Sequence, residues 1–131
     1  VLGPDAQAPG SGNINNASVS FRIDFSETSF LFTGDAEEKQ ERWLLNHYGD
    51  FLDTDFLKTG HHGSKTSSSL PFIKQVTPDI TVTSVAFRNR FGHPHRESVT
   101  NLAASGAKNY FTSLSGALIF TSDGKIIAEE Q

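Results

Sequence analysis

The alternation of strand-like and helix-like segments predicts an α/β fold, a mixed sheet with helices packed on it. In chain order the predicted segments are β-β-α-β-α-β-α-β-β-β. Two observations support this prediction: apolar residues recur at every second position early in the chain, and helix-forming runs then separate short β-branched segments. Each polar segment that could carry chemistry follows a predicted strand. Ligands of open α/β sheets bind beyond the carboxyl ends of the strands, so we expect a site there.

The first third of the chain predicts a hairpin followed by a helix. Residues 18–25 are apolar at every second position, which predicts a strand with one buried face. A short turn separates this strand from a second one over residues 29–33. Residues 36–48 are helix formers with acids in the first turn, where the helix dipole favours negative charge. Asp35 therefore stands at a strand-to-helix junction, where an aspartate is a common N-cap.

The rest of the chain alternates helices and strands. The predicted elements are a strand over 54–59, a helix over 67–76, a strand over 79–86, a helix over 96–104, and closing strands over 108–112, 116–121 and 125–128. Pro71 in the first turn favours the start of the second helix, and Gly106 is expected to end the third. The β-branched residues of the strand over 79–86 predict that it is buried.

Composition limits the class of protein. The 131 residues are 36% apolar and include eleven phenylalanines, which is enough for one folded domain with a core. No apolar run approaches the roughly 20 residues of a membrane-spanning helix. The chain has no cysteine, so any metal must be held by His, Asp, Glu or Asn. It has no methionine and begins with valine, so we expect a fragment of a longer protein.

Charge argues against one class of function. The net charge of −4 is unlike that of a protein that coats nucleic acid by bulk charge. Local groups can still bind phosphates, because several basic residues lie close in sequence to the histidine segments described next. These residues are Lys58, Lys65, Arg88, Arg90 and Arg96.

Two adjacent histidines are the strongest candidates for chemistry. His61 and His62 lie between Gly60 and Gly63, directly after a predicted strand. Imidazole is the commonest metal ligand and the usual proton-transfer group near neutral pH. On an extended backbone adjacent side chains point in opposite directions, so one ring is expected to face the site while the other braces the loop or contacts substrate. Two surface histidines in a polar loop are the alternative, which the bracketing glycines disfavour.

A second histidine pair and one aspartate extend the candidate site. His93 and His95 flank Pro94, and an extended backbone would place both rings on one side, a geometry suited to metal or phosphate contact. The alternative is a helix-entry loop in which the proline is only the first helical residue. Asp35 follows Gly34 and can ligate or bridge metals, or simply cap the helix.

Other polar and aromatic residues near these segments are candidates for substrate contact. Asn15 and Asn16 can hold a substrate oxygen or form an Asx turn. Ser64 and Lys65 can bind phosphate, the serine otherwise serving as a cap. Arg90 can follow a polynucleotide backbone.

Two phenylalanines accompany these arginines. Phe87 lies beside Arg88, and Phe91 follows Arg90. Aromatic rings next to guanidinium groups can stack on nucleobases. Packing into the core is the alternative that their apolar character favours.

Four segments occur in a characteristic order: NNASV (15–19), LFTGDAE (31–37), LKTGHHGSKTS (57–67) and RFGHPH (90–95). Together they resemble the metallo-β-lactamase-type domain of ComEC-like DNA-internalisation (competence) proteins, over about residues 13–124. His-His-Gly-Ser is the most specific part. The resemblance implies an αβ/βα metallo-hydrolase sandwich and an extracytoplasmic domain of a bacterial membrane protein; otherwise the protein would be secreted or cytoplasmic.

The resemblance also implies an activity, namely metal-dependent phosphodiester hydrolysis by a nuclease that acts on single-stranded or duplex DNA during DNA uptake. Asp35 would match the aspartate that bridges two divalent metals, Zn or Mn, and His62 the late histidine ligand, with His61 nearer the substrate. In such a site His93 or His95 would stabilise charge on the phosphate or protonate the leaving oxygen. Two alternatives stay open: an esterase of small phosphodiesters or cell-wall polymers, similar to phosphorylcholine esterases, and a non-catalytic remnant with the same fold.

One departure from the family is large. The earlier His-x-(His/Asp)-x-Asp-His motif, which supplies most metal ligands, has no counterpart in the sequence. We therefore expect residues 1–131 to form a single domain that corresponds to the C-terminal half of the hydrolase fold. An N-terminal half in the parent protein would supply the remaining ligands, and the isolated chain would bind metal weakly. The sequence indicates no oligomeric state.

Overall fold

The computed structural model describes residues 1–4 and 12–130. The helices are α1 (Glu38–Tyr48), α2 (Leu70–Val76), α3 (Arg96–Ala103) and the short α4 (Thr112–Ser115). The strands are β1 (Phe21–Phe25), β2 (Thr28–Phe32), β3 (Phe56–Lys58), β4 (Ile80–Thr83), β5 (Lys108–Phe111), β6 (Ile119–Ser122) and β7 (Ile127–Glu130). The predicted order of elements is confirmed, with α4 added where a turn was predicted. In the described part of the chain, no helix has the length and apolar character needed to cross a membrane.

Five strands form a mixed sheet in the order β1-β2-β3-β4-β5. β1 and β2 are an antiparallel hairpin, and β2 to β5 run parallel to one another. Parallel neighbours need crossover connections, which contain α1, α2 and α3. Because β2, β3 and β4 end at the same edge of the sheet, the loops that follow them lie side by side. Those three loops contain the three candidate segments.

One face of the sheet is covered by the helices α1, α2 and α3. Leu31 of β2 and Leu57 of β3 are cross-strand partners and both are buried there. The core cluster consists of Leu2, Leu31, Leu44, Leu52, Leu57, Phe72, Ile73, Val76 and Leu102. Burial of one such side chain stabilises the fold by about 1.5–3 kcal/mol. This core holds the central strands, and therefore their carboxyl ends, in a fixed arrangement.

The opposite face of the sheet is rich in aromatic side chains. Phe21 stacks on Phe32 with ring centroids 4.8 Å apart, and Phe32 lies 6.4 Å from Phe56. The ribbon of β6 and β7 covers part of this face, because Phe120 packs edge-on against Phe56 and Tyr110. We call this surface the aromatic face.

The β1 end of the aromatic face is open to solvent. The sequence predicted that Val19, Ile23 and Phe25 lie on one buried face. Ile23 and Phe25 are instead 49% and 50% exposed, and Val19 is more exposed still. The prediction is wrong for these side chains because the β6–β7 ribbon meets this end only at its turn, where Gly124 lies against Phe25 and Ser26, and leaves about half of the Ile23 and Phe25 surface exposed.

The start of α1 also differs from the prediction. Its N-cap is Glu37, so Asp35 does not cap the helix. A turn in which the Ala36 N–H donates to the Thr33 carbonyl, at 3.1 Å, delays the helix by two residues. The Asp35 side chain is therefore available at the edge of the sheet. The third helix, α3, ends at Ala103 with Ala104 as its C-cap, two residues before Gly106.

A buried carboxylate in α1 fixes the segment that precedes α2. The two oxygens of Glu41 accept hydrogen bonds from the backbone N–H groups of Ser68, at 2.5 Å, and Ser69, at 2.9 Å. Glu41 is 1% exposed. Burial raises the pKa of Glu41, because the charged form loses water, and these hydrogen bonds partly oppose the increase. Glu41 thus connects α1 to the chain that follows the histidine loop.

Removal of this carboxylate should destabilise the fold. Glu41→Ala leaves two buried N–H groups without an acceptor, so we expect the free energy of unfolding to fall by about 2–4 kcal/mol. Urea denaturation measures the change. Glu38→Ala, on the exposed side of the same helix, is the matched control and should cost less than about 0.5 kcal/mol. Equal stability of the two variants would show that the Glu41 contacts contribute nothing.

Candidate functional site

The loops after β2, β3 and β4 meet around one small cavity. Its lining contains Asp35, His61, His62, Phe91 and His93, and its volume is about 210 Å³. The Asp35 Oδ1 lies 3.7 Å from the His62 Nε2, and both side chains are about half exposed. The structure therefore brings the predicted carboxylate together with three of the four predicted histidines.

The histidine loop has a left-handed backbone. His61 and His62 have φ angles of +44° and +53°, respectively, so the loop is a tight turn and is not extended. The expectation that the two rings point in opposite directions is wrong, because consecutive side chains alternate only on an extended backbone. Both rings line the same cavity. Left-handed residues other than glycine cost of order 1 kcal/mol each and are frequent at functional sites.

The histidine loop is held by hydrogen bonds to its neighbours. The His61 N–H donates to the Gly34 carbonyl at 3.0 Å, which joins it to the loop that carries Asp35. The Ser67 hydroxyl donates to the Gly60 carbonyl at 2.9 Å. Behind the loop, the buried Thr83 hydroxyl bonds to that of Thr59 at 3.0 Å. These contacts offset the cost of the left-handed turn.

Gly63 makes the closest contact between the β3 and β4 loops. A Cβ atom there would lie 2.7 Å from the Cβ of Pro94, and the φ angle of +77° also favours glycine. The His95 N–H donates to the Gly63 carbonyl at 2.8 Å. A side chain at this position would push the two histidine segments apart.

His62 has the orientation of a metal ligand. Its Nδ1 lies 2.7 Å from the Ser84 carbonyl, which only accepts hydrogen bonds, so Nδ1 must be the protonated nitrogen. The lone pair of the neutral ring is then on Nε2, the atom that faces Asp35. A carbonyl that fixes the tautomer in this way is the usual partner of a metal-binding histidine. Ser84 contributes only its backbone, so its side-chain type gave no signal in the sequence.

Glu37, which was not among the residues predicted from the sequence, lies beside His61. Its Oε1 is 3.5 Å from the His61 Nδ1, a buried atom with no hydrogen-bond partner. The side-chain amides of Asn13 and Asn15 donate to the same carboxylate at 2.7 and 3.1 Å. The carboxylate thus faces Nδ1 and leaves Nε2 as the nitrogen for the cavity. In the sequence, the signal for this contact was an Asn-rich segment together with an acidic residue directly after Gly-Asp-Ala.

His93 and His95 have different surroundings. His93 lines the cavity, and its ring is edge-on to the rings of His61 and His95, at 5.6 and 4.8 Å. His95 lies behind it: its Nδ1 accepts from the Lys65 N–H at 3.1 Å, and the residue is the N-cap of α3. His93 is therefore placed for chemistry, whereas His95 braces the loop through that nitrogen.

The remaining predicted contact residues divide into two groups. Asn16 is buried and its Oδ1 accepts from the Gln40 N–H at 3.2 Å, so it supports α1 and does not face a substrate. Ser64 is also buried and bonds to the Thr66 hydroxyl at 2.9 Å. Asn15 contacts Glu37, and the side chains of Lys65 and Arg90 are exposed beside the histidine segments.

Burial and charge set the protonation of two groups at the site. Burial lowers the pKa of Lys58, at the end of β3, and the nearby negative charge of Asp35 partly offsets this change. Burial is also the largest cause that lowers the pKa of His93, and the three neighbouring histidines act in the same direction. His93 is therefore a neutral imidazole at pH 7, able to donate from one nitrogen and accept at the other.

The donors fit part of a metal site. Asp35 and His62 are of the types that bind zinc-like cations, and the tautomer of His62 is the required one. A catalytic zinc ion usually has three protein ligands. Over residues 1–4 and 12–130, no group of three or more His, Asp or Glu side chains is arranged to hold a metal ion. The described residues therefore offer two candidate ligands here, fewer than a catalytic zinc centre needs.

The geometry defines an α/β protein with a histidine- and carboxylate-lined site at the carboxyl edge of its sheet. The chain is also similar in sequence to named proteins. The chain is 39% identical to competence protein ComA of Neisseria gonorrhoeae over 106 residues, which is 81% of the chain. It is 33% identical to ComE operon protein 3 of Bacillus subtilis over 118 residues, 90% of the chain. It is also 36% identical to recombination protein 2 of Haemophilus influenzae over 102 residues.

These relatives are much longer than the chain. Each match spans 13–15% of the relative's length, so the chain corresponds to a small part of each of them. No family model and no solved structure matches the chain. The named relatives support a competence-related protein.

The contact between Gly63 and Pro94 can be tested by substitution. Gly63→Ala combines an unfavourable φ with a steric clash, so we expect it to reduce the free energy of unfolding by more than about 2 kcal/mol. Gly92→Ala is the matched control, because Gly92 has a similar φ of +72° but open space around it. It should cost about 1 kcal/mol. Denaturation curves that coincide for the two variants would contradict the close contact.

The pKa of His93 should be below its usual value of 6.5. An NMR titration of the ring Cε1–H signal measures it, with the chain in denaturant as the reference. Because the folded pKa is lower than the unfolded one, His93 contributes stability that is present above pH 6.5 and is lost as the pH falls through the folded pKa. His93→Gln should therefore flatten the loss of stability on acidification. A folded pKa at or above the unfolded value would contradict this environment.

Proposed function

We propose that the chain carries part of the active site of a metal-dependent phosphodiesterase that cleaves DNA in a competence-related protein. One observation carries the proposal: the Nε2 of His62 faces the carboxylate of Asp35, and Nδ1 donates to a carbonyl, so in the neutral ring the lone pair is on Nε2. The names of the relatives support DNA uptake as the setting. The likeness of the four sequence segments to ComEC-like metallo-hydrolase domains supports the reaction class.

In this proposal Asp35 and His62 hold divalent cations, Zn or Mn. When bound, such cations lower the pKa of coordinated water to about 7 and neutralise charge on phosphate oxygens. His61, whose Nδ1 faces Glu37, presents Nε2 to the substrate. Neutral His93 can donate a hydrogen bond to a phosphate oxygen or carry a proton to the leaving oxygen. The exposed side chains of Lys65 and Arg90 attract the phosphodiester backbone.

The remaining metal ligands come, in this proposal, from a segment outside the described residues. Two observations support this. Asp35 and His62 are too few for a catalytic centre, and the aromatic face is open at its β1 end, where Ile23 and Phe25 are half exposed. A second layer that packs on the aromatic face would bury these side chains and complete an αβ/βα sandwich. The length of the relatives allows for such a segment.

A non-catalytic binding domain is the second candidate. It is favoured by the absence, among residues 1–4 and 12–130, of three side chains grouped as metal ligands. Such a domain would keep the basic and aromatic side chains near the cavity but would bind no cation, even in the full-length protein.

Hydrolysis in the full-length protein tests the proposal. Asp35→Ala and His62→Ala should each reduce Mn- or Zn-dependent cleavage of DNA by more than about 100-fold, since each removes a ligand. A chelator should abolish cleavage and added metal restore it. Glu38→Ala, which removes an exposed carboxylate from α1, is the control and should leave the rate unchanged.

Two outcomes would contradict the proposal. Retained activity in Asp35→Ala would remove the metal role of that carboxylate. Faster cleavage of a small phosphodiester than of DNA would favour the esterase alternative. Calorimetric titration with Mn or Zn distinguishes the phosphodiesterase from the non-catalytic binding domain. The binding domain should give no heat of metal binding.

A further inference from the structure

A larger cavity adjoins the candidate site. Its volume is about 440 Å³, within the range of about 300–1,000 Å³ that is usual for ligand pockets. It shares His62, Phe91 and His93 with the small cavity of Asp35, so a ligand in one is next to a ligand in the other. Its apolar wall includes Val85 and Ala86. We call it the side cavity.

Asn89, Thr112 and one ring nitrogen of His62, all in the lining of the side cavity, already have partners within the protein. The Asn89 amide donates to the His93 carbonyl, and its oxygen accepts from the His93 N–H, at 2.7 and 2.9 Å. The Thr112 hydroxyl bonds to both backbone groups of Val85. The His62 Nδ1 is bonded to Ser84. A ligand of the side cavity is therefore recognised by apolar and stacking contacts and by few hydrogen bonds.

Phe91 supplies an aromatic surface at the opening of the side cavity. It is 61% exposed, and Phe87 in the same loop is 76% exposed. The expectation that these two phenylalanines pack into the core is therefore wrong for both. The Phe91 ring stacks on His93 at 5.6 Å, and the Arg90 guanidinium lies 4.8 Å from its centre. Stacked aromatic and guanidinium groups with exposed faces are typical of single-stranded nucleic acid binding.

Charge identifies the class of ligand. Among the residues that the structure describes, no carboxylate lines the side cavity, and the exposed Arg88 and Arg90 flank Asn89 in the loop that forms its wall. A quaternary ammonium group, as in a choline ester, would find no carboxylate there and two repelling cations. A flat apolar group attached to a phosphate finds both stacking and opposite charge. A nucleotide has this combination.

We propose that the side cavity binds an unstacked nucleobase of single-stranded nucleic acid, with the base against Phe91 and its phosphate toward Asp35 and His62. The placement of the phosphate rests on the proposed function, whereas binding of the base can be tested apart from hydrolysis. Bases of a duplex are stacked and paired, so they reach such a cavity only after they are flipped out. The site therefore prefers single strands.

Binding by the full-length protein tests the base separately from the phosphate. Fluorescence anisotropy in chelator compares a single-stranded DNA oligonucleotide with an abasic strand of equal length and charge. The wild type should bind the strand with bases at least about tenfold tighter, because each stacked base contributes substantially to affinity. In Phe91→Ala the ratio of the affinities for the normal and the abasic strand should be near one. Phe91→Trp should keep the wild-type ratio.

Phe51→Ala is the matched control. Phe51 is also exposed and also lies under a guanidinium, that of Arg22 at 4.9 Å, but it precedes β3 and so lies at the opposite edge of the sheet. It should keep the wild-type ratio. Circular dichroism verifies that all variants fold. An equal loss of affinity of Phe91→Ala for both strands, or the same effect from Phe51→Ala, would overturn the inference.

The two proposals can fail separately. Base-selective binding that depends on Phe91, in a protein that cleaves no phosphodiester, would support the side cavity as a base site and remove the proposed hydrolysis. Metal-dependent cleavage that Phe91→Ala reduces equally on normal and abasic strands would keep the proposed function and overturn base binding. A wild type that binds duplex as tightly as single strands would overturn the preference for unpaired bases.

Discussion

The close contact between Gly63 and Pro94 is the constraint on which the candidate site depends. It brings the loops after β3 and β4 to van der Waals distance, and the bond from the His95 N–H to the Gly63 carbonyl sets their register. Only glycine combines the positive φ with the absence of a Cβ at this point. His61 and His62 on one loop and His93 on the other can share a cavity because nothing larger separates the loops.

The sheet makes this arrangement stable enough to hold unfavourable geometry. The strands β2, β3 and β4 end at one edge, and the core under the helices fixes them there. The left-handed histidines and the buried charge of Glu41 each cost free energy, and their backbone hydrogen bonds offset that cost. Rigid strands that carry strained, hydrogen-bonded loops are a common design for sites that need exact positions.

Among the described residues, the candidate site has few possible metal ligands and the aromatic face is partly exposed. We interpret these two features together. Asp35 and His62 are a pair of candidate ligands with no third donor grouped beside them among the described residues, while Ile23 and Phe25 of β1 remain about half exposed. The matched relatives are several times longer than this chain. A single additional layer would account for both features, because it would bury the apolar side chains and bring new ligands to the same edge.

The sequence by itself determined the order of elements, the α/β class and the three loops that form the site, because periodicity and turn residues report local conformation. Only the tertiary structure decided that Asp35 leaves the helix cap to face His62, that Glu37 lies beside His61, and that Phe91 lies open at a cavity. It also moved Asn16 into a buried contact with α1. These outcomes depend on partners some 20 to 30 residues apart, such as Ser84 for His62, and a local pattern carries no information about such contacts.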